Sequence, residues 1–218
     1  QKAPQGTLAL QFTPFVGYGW QPNLREPDLQ TNADGLAIDH EIERPKPPGR
    51  IRVVLLGGSF LVSAQDHRHS IGHRVAEQAL VDFPDRHVEV INAGYPGVQS
   101  FQELAFFLWK IIPLQPDLVV LVDGRNDIWL SSLPGAKPNT APQLLQMTDY
   151  LNMPKSKKVW VDLVQASKLL SELKRRTVDR RHSRETLGFL PQHQTPSWGP
   201  ATYAQNLSTL ADLCQTWN

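Results

Sequence analysis

Three short polar segments of this chain carry residue types that suit acyl transfer. They are Gly57-Gly58-Ser59, Asn92-Ala93-Gly94 and Gly124-Arg125-Asn126-Asp127. A serine at a glycine-rich turn exposes its hydroxyl for attack on an acyl carbonyl. The oxyanion that forms needs hydrogen-bond donors placed in advance, and loss of one raises the barrier by about 3 to 4 kcal/mol. We therefore predict Ser59 as the nucleophile, with the Gly94 N–H and the Asn126 side-chain amide as donors.

Each of these residues also has a purely structural interpretation. Serine is a preferred turn and helix N-cap residue, so Ser59 alone fits a cap, and Asn126 or Asp127 fits the start of a helix. The recurrence of such residues after three successive strands favours the catalytic interpretation. Arg125 and Asp127 flank Asn126 and are the predicted substrate-binding residues, with an ordinary exposed loop arginine as the alternative for Arg125.

Alternating strands and helices must position these segments. Apolar runs at 51–56, 87–92 and 116–124 are typical of parallel strands, and helices are predicted at 68–82, 100–112, 157–178 and 201–217. This order predicts an α/β fold with a doubly wound, flavodoxin-like parallel sheet in three α/β/α layers. If the first strand is central, the carboxyl ends of the strands bring Ser59, Gly94 and Asn126 together.

Two regions differ in composition. Residues 1–49 are rich in proline, glycine and asparagine and are predicted to wrap over the core in extended form, ending in the stiff connector ERPKPPGR. Residues 50–218 are predicted to form the α/β domain.

The segments LLGGSF, INAGYPG and VDGRNDI resemble, in order and spacing, the first three sequence blocks of the SGNH (GDSL-like) hydrolase superfamily. The resemblance implies a serine esterase or O-acyl (acetyl) transferase that uses no metal or organic cofactor. It implies Ser59 as nucleophile and Gly94 and Asn126 as oxyanion donors, with an acetylated carbohydrate or a lipid ester as substrate. Similar bacterial proteins are often exported or membrane-anchored, so an exported protein, with any membrane anchor outside this chain, is expected.

A fourth block of the superfamily supplies the catalytic base. Its members carry a D-x-x-H motif near the carboxyl terminus whose histidine activates the serine. The same four-residue spacing occurs in this chain at Asp66–His69 and at Asp179–His182, and both precede the last predicted helix. We expect the natural chain to continue past Asn218 for about 50 to 100 residues, within ordinary domain size, and to supply that motif and a further strand. His182 and His193 are the alternative bases within the chain. A catalytically inactive module that binds a protein partner is the alternative function, to which tryptophans 20, 129, 160 and 198 would contribute interface contacts.

The net charge and the cysteine content of the chain exclude two kinds of interaction. Twenty-two basic and 21 acidic residues give a formal charge of +1, so no nucleic-acid partner is expected. Cys214 is the only cysteine, which excludes an intramolecular disulfide. The spacing of His67, His69 and His73 does not match one helix face, so they are predicted to be surface residues, not metal ligands.

Overall fold

A three-stranded parallel sheet forms the centre of the computed structural model, which describes residues 9–62, 66–131, 138–139 and 198–217. Its strands, in the spatial order β4-β3-β5, are β3 (Arg50–Gly57), β4 (His87–Gly94) and β5 (Leu118–Val122). Gly57 pairs with Gly94 on one side and with Val122 on the other, so the three carboxyl ends finish level. The parallel α/β class and the central position of the first strand are confirmed.

Helices cover both faces of this sheet. They are α1 (Ile71–Asp82), α2 (Ser100–Phe106), α3 (Arg125–Ser131) and α4 (Trp198–Trp217). Val54 and Leu56 pack in one cluster with Phe106 and Phe107, whereas Leu55 packs in another that includes residues of α1. Successive residues of a strand face opposite sides of a sheet, so these two clusters are the two interlayer cores.

The α1 helix starts later than predicted. The Ser70 hydroxyl accepts a hydrogen bond from the His73 N–H at 3.3 Å and caps the helix, while residues 67–69 form a separate 3₁₀ turn. Ile71, Ala76 and Ala79 pack against the sheet, whereas Val75 and Leu80 are exposed.

The predicted second helix is divided. Gln99 and Gln102 form a capping box at the start of α2, which passes after Phe106 into a π-helical turn over Phe107–Ile111 and a 3₁₀ turn over Ile112–Leu114. At the carboxyl end of the chain, α4 contains the predicted 201–217 helix and buries Leu210. The predicted 157–178 helix lies outside the described residues.

The N-terminal segment contributes an antiparallel hairpin to the core. Strand β1 (Leu10–Thr13) pairs with β2 (Gly17–Trp20), and the side chains of Tyr18 and Trp20 are buried in the same cluster as β3 and β4. Trp20 is therefore a core residue, whereas Trp129 on α3 is exposed. The domain division at residue 49 stays a prediction.

The amino end of the sheet contains a buried ion pair. The Arg52 side chain is completely buried, and its Nε donates to Glu89 Oε2 at 2.7 Å. The other guanidinium nitrogens donate to the backbone carbonyls of Leu114 and Glu43, and the Arg52 N–H donates to Asp117 Oδ2 at 2.6 Å. These bonds link β3 to β4 and to the residues that precede β5.

The outer strand β5 exposes part of its apolar surface. Leu118 and Val120 are exposed on it, and in the described sheet β5 pairs on one side only. A further strand beside it stays a prediction. Among the described helices, none is both long and apolar enough to cross a bilayer.

Candidate active site

Ser59 begins a short 3₁₀ turn directly after β3. Gly58 precedes it in an extended conformation, and the Ser59 side chain caps no helix. Its hydroxyl makes no hydrogen bond to any residue that the structure describes, and the residue is half-exposed. The structural interpretation of Ser59 as a capping residue is therefore not supported, and its hydroxyl is accessible.

The side-chain amide of Asn126, in the first turn of α3, lies between the turn after β3 and the loop after β4. The amide nitrogen donates to the Val98 carbonyl at 2.8 Å, and it lies 3.1 Å from the point that a Cβ on Gly58 would occupy. A carboxamide has two N–H donors, so one remains for a ligand. The structure thus brings Asn126 next to the turn that carries Ser59.

The Gly94 N–H, which the sequence predicts as an oxyanion donor, is hydrogen-bonded within the protein. It donates to Asn92 Oδ1 at 3.0 Å, and the Asn92 amide nitrogen donates in turn to the Leu61 carbonyl at 3.0 Å. A Cβ at position 94 would lie 2.6 Å from the Cβ of Leu61. Glycine is required here for close packing, and its backbone donor is satisfied.

Gly97, on the same loop, differs from Gly94 in its backbone N–H. Its φ of 72° lies in the left-handed region that favours glycine, and the residue is half-exposed. Its N–H donates no hydrogen bond within the described part of the chain, and the next residue, Val98, accepts the bond from Asn126. The signal in the sequence was the second glycine of NAGYPG, which by itself looks like an ordinary turn residue.

Asp127 lies in the protein interior. Its carboxylate accepts hydrogen bonds from the Ser100 hydroxyl at 2.6 Å and from the Ser100 N–H at 3.1 Å, and the Asn206 amide donates to the same hydroxyl at 2.9 Å. Desolvation raises the pKa of Asp127 to about 6. These contacts favour a role in joining α2, α3 and α4, while substrate contact by Asp127 stays a prediction. Arg125 is exposed beside it.

Two further polar side chains are buried behind the site. Glu103 on α2 is 1% exposed, and desolvation, reinforced by the negative charge of Asp123, raises its pKa well above the ordinary range. The Tyr95 hydroxyl is buried without a hydrogen-bond partner among the described residues. Burial first, and then the charge of Glu103, raises the pKa of this tyrosine as well. The protonated form of Glu103 is favoured in these surroundings.

A second cluster of titratable groups lies in a cleft of about 240 Å³ beside α1, and Ser59 does not line it. The potential ligand atoms of Asp39, His67 and His73 lie within 4.8 Å of one another. His67 is buried, so the prediction of a surface residue is wrong for it, whereas His69 is exposed.

The hydrogen bonds of this cluster do not favour a metal ion. The Gln30 N–H donates to His67 Nδ1 at 3.4 Å, which leaves the ring proton of a neutral imidazole on Nε2. A metal-ligating histidine usually has the reverse arrangement, because it donates its second ring N–H to an oxygen atom. Desolvation lowers the pKa of His67 and favours the neutral ring.

A catalytic base for Ser59 is not among its described neighbours. Histidines 40, 67, 69, 73 and 87 belong to the described part of the chain, and none of them is hydrogen-bonded to the Ser59 hydroxyl. The two alternative bases, His182 and His193, lie outside the described residues.

Comparisons with known proteins return structures but no sequence family. Neither the protein-family models nor the curated proteins contain a match to the chain. LAE5, an alpha/beta hydrolase enzyme from the metagenome of Lake Arreo in Spain, is 22% identical over 52% of this chain and 53% of its own, with a TM-score of 0.32. The lipase/acylhydrolase from Enterococcus faecalis is 20% identical over 57% of this chain and 71% of its own, also with a TM-score of 0.32. The chain spans about half the length of LAE5.

Proposed function

We propose that this protein is a serine-dependent ester hydrolase or O-acyl transferase. The observation that carries the proposal is the level alignment of the three strand ends. It sets the unbonded Ser59 hydroxyl, the spare N–H of the Asn126 amide and the free N–H of Gly97 at one edge of the sheet. Acyl transfer needs an accessible nucleophile with unpaired hydrogen-bond donors beside it. The carboxyl ends of parallel strands are a usual place for such a site.

The chemistry proceeds in two displacement steps. Ser59 Oγ attacks the acyl carbonyl of the ester and transfers its proton to a base, and the carbonyl oxygen becomes an oxyanion that accepts from Asn126 Nδ2, Gly97 N and Ser59 N. Collapse breaks the bond to the alkoxy leaving group, which takes up a proton, and leaves an acyl ester on Ser59. Water then completes a hydrolysis, or a second alcohol completes a transfer.

The proposed substrate class is an ester such as an acetylated carbohydrate or a lipid. We expect Arg125, which is exposed next to Asn126, to contact an anionic group on such a substrate. Neither of the proposed steps requires a metal ion or an organic cofactor.

A fluorophosphonate probe tests this proposal directly. We expect one covalent adduct on Ser59, located by peptide mass spectrometry, and hydrolysis of p-nitrophenyl acetate that falls by more than about 1,000-fold in Ser59→Ala. Ser208→Ala, which changes an exposed serine on α4, is the matched control and retains both activities. A folded protein that forms no adduct at Ser59 contradicts the proposal.

An exposed aromatic pair supports a second candidate function, a non-catalytic binding module. Phe15 and Trp109 are 73% and 56% exposed, and their ring centroids lie 5.1 Å apart. Exposed aromatic side chains are frequent anchors of protein interfaces. A stable stoichiometric complex that is lost in Trp109→Ala, together with no turnover of any aryl acetate, favours this alternative. Turnover that depends on Ser59 excludes it as the sole function.

A further inference from the structure

Two side chains of the N-terminal hairpin donate hydrogen bonds to the end of β4 and to the loop that follows it. The Tyr18 hydroxyl donates to the Pro96 carbonyl at 2.8 Å, and the Trp20 indole N–H donates to the Gly94 carbonyl at 2.9 Å. Both donors are buried side chains of β2 and lie more than 70 positions away in the sequence. Two peptide groups of the loop are thus fixed through their carbonyl oxygens.

The first of these peptide groups, between Gly94 and Tyr95, is hydrogen-bonded through both its carbonyl and its N–H. Its carbonyl, from Gly94, accepts from the hairpin, while its N–H, from Tyr95, donates to the Gly57 carbonyl at the end of β3 at 3.2 Å. In a planar trans peptide the C=O and N–H point in opposite directions. The loop therefore has the hairpin on its carbonyl side and β3 on its N–H side.

The second peptide group joins Pro96 to Gly97 and is also trans. Its carbonyl accepts from Tyr18, so its N–H, which belongs to Gly97, points away from the hairpin. A hydrogen bond to a carbonyl oxygen also polarises its amide and strengthens the N–H as a donor. The oxygen bonded by Tyr18 and the proposed oxyanion donor are two ends of one peptide group.

We propose that Tyr18 is a positioning residue of the active site, which aims and polarises the Gly97 N–H through the Pro96 carbonyl. This inference rests on the proposed function, because it assigns Gly97 as a donor to the oxyanion. It gives the N-terminal hairpin a part in the chemistry that acts through a peptide group of the loop. The contribution appears in the transition state, where the charge on the oxygen is largest.

The hydroxyl of Tyr95 is a matched control for the hydroxyl of Tyr18. Tyr95 is as buried as Tyr18, at 2% exposure each, and the two rings contact edge to face with centroids 5.9 Å apart. Unlike that of Tyr18, the Tyr95 hydroxyl has no partner among the described residues. Tyr18→Phe and Tyr95→Phe therefore delete the same atom from neighbouring rings, and only the first deletion removes a bond to the loop.

Kinetics on p-nitrophenyl acetate test the catalytic part. We expect Tyr18→Phe to lower kcat about 5- to 10-fold with KM within about twofold, as for the loss of one hydrogen bond that matters in the transition state. Tyr95→Phe retains kcat within about twofold. Equal kcat in Tyr18→Phe and the unmodified protein overturns the inference, and so does an equal loss in both variants, which indicates ring packing as the cause.

An amide NMR spectrum separates this inference from the proposed function. The Gly97 ¹H–¹⁵N signal is expected to move in Tyr18→Phe more than signals outside residues 94–98, and to keep its position in Tyr95→Phe. An unmodified protein that shows neither turnover nor a Ser59 adduct refutes the proposed function. Turnover together with an unmoved Gly97 signal refutes the role of Tyr18 and leaves the proposed function standing.

Discussion

The Arg52 side chain at the amino end of the central sheet and the polar groups at its carboxyl end differ in how far their hydrogen-bond donors are paired. At the amino end, the buried Arg52 side chain donates to Glu89 and to two backbone carbonyls, so its donor groups are paired. At the carboxyl end, the Ser59 hydroxyl and the Gly97 N–H have no partner among the described residues, and Asn126 uses one of its two amide protons. Both ends are built from the same three strands.

This difference separates a structural site from the proposed active site. An unpaired polar group costs free energy unless water or a ligand satisfies it, so a fold gains stability by pairing its donors. Arg52 and Glu89 hold the strands together at a place where no ligand is needed. The half-exposed donors at the opposite edge remain free for a substrate, and four substitutions can test the contrast.

The largest expected effect is on stability at the amino end. Arg52→Ala leaves Glu89 buried without its main partner and lowers the free energy of unfolding by about 3 to 5 kcal/mol. Lys46→Ala breaks the more exposed pair with Asp117 and costs about 1 kcal/mol or less. Urea denaturation measures both values. Equal losses in the two variants would show that burial does not distinguish these ion pairs.

The next effect is on activity at the carboxyl end. Asn126→Ala removes an oxyanion donor and lowers kcat about 100- to 1,000-fold, while the lost bond to Val98 costs only about 1 kcal/mol of stability. Trp129→Ala, on the exposed side of the same helix, retains kcat. Steady-state hydrolysis of p-nitrophenyl acetate gives both values. A loss of activity that merely parallels unfolding would remove the contrast between the two ends.

A smaller effect on stability is expected at Gly72. A Cβ there would lie 2.4 Å from the amide nitrogen of Asn92, the side chain that binds both Leu61 and Gly94. Gly72→Ala therefore overpacks the site and costs about 1 to 3 kcal/mol, although alanine favours helices. Gln78→Ala, on the exposed face of α1, changes stability by less than about 0.5 kcal/mol. Thermal melting compares them, and a more stable Gly72→Ala protein would show that Asn92 can move freely.

The smallest effect concerns the pH dependence of stability. The pKa of Asp127 is about 6 in the folded protein against 3.8 ordinarily, so the folded state binds this proton more tightly than the unfolded state does. The corresponding stabilisation is complete below about pH 4 and is lost as the pH rises to about 6. Asp127→Asn retains an acceptor for Ser100 and should show a flatter profile. Urea denaturation at several pH values measures this, and parallel profiles would assign the slope to other groups.

Local sequence pattern determined the framework and the position of two residues of the proposed site. Continuous apolar runs predicted β3, β4 and β5, and the level strand ends that follow from a parallel sheet placed Ser59 and Asn126 at one edge. Such patterns are readable because strand burial depends on residues that are neighbours in the chain.

The choice between Gly94 and Gly97 was made only by the tertiary structure. Both are turn glycines in NAGYPG, and they differ in whether a side chain accepts from their N–H, which depends on how Asn92 is held against Leu61. The burial of Asp127 and of His67, and the bond from Tyr18 to Pro96, likewise join segments far apart in the chain. Residue type determines which hydrogen bonds a group can make, whereas the packing of distant segments decides which of them are already taken and which remain for a substrate.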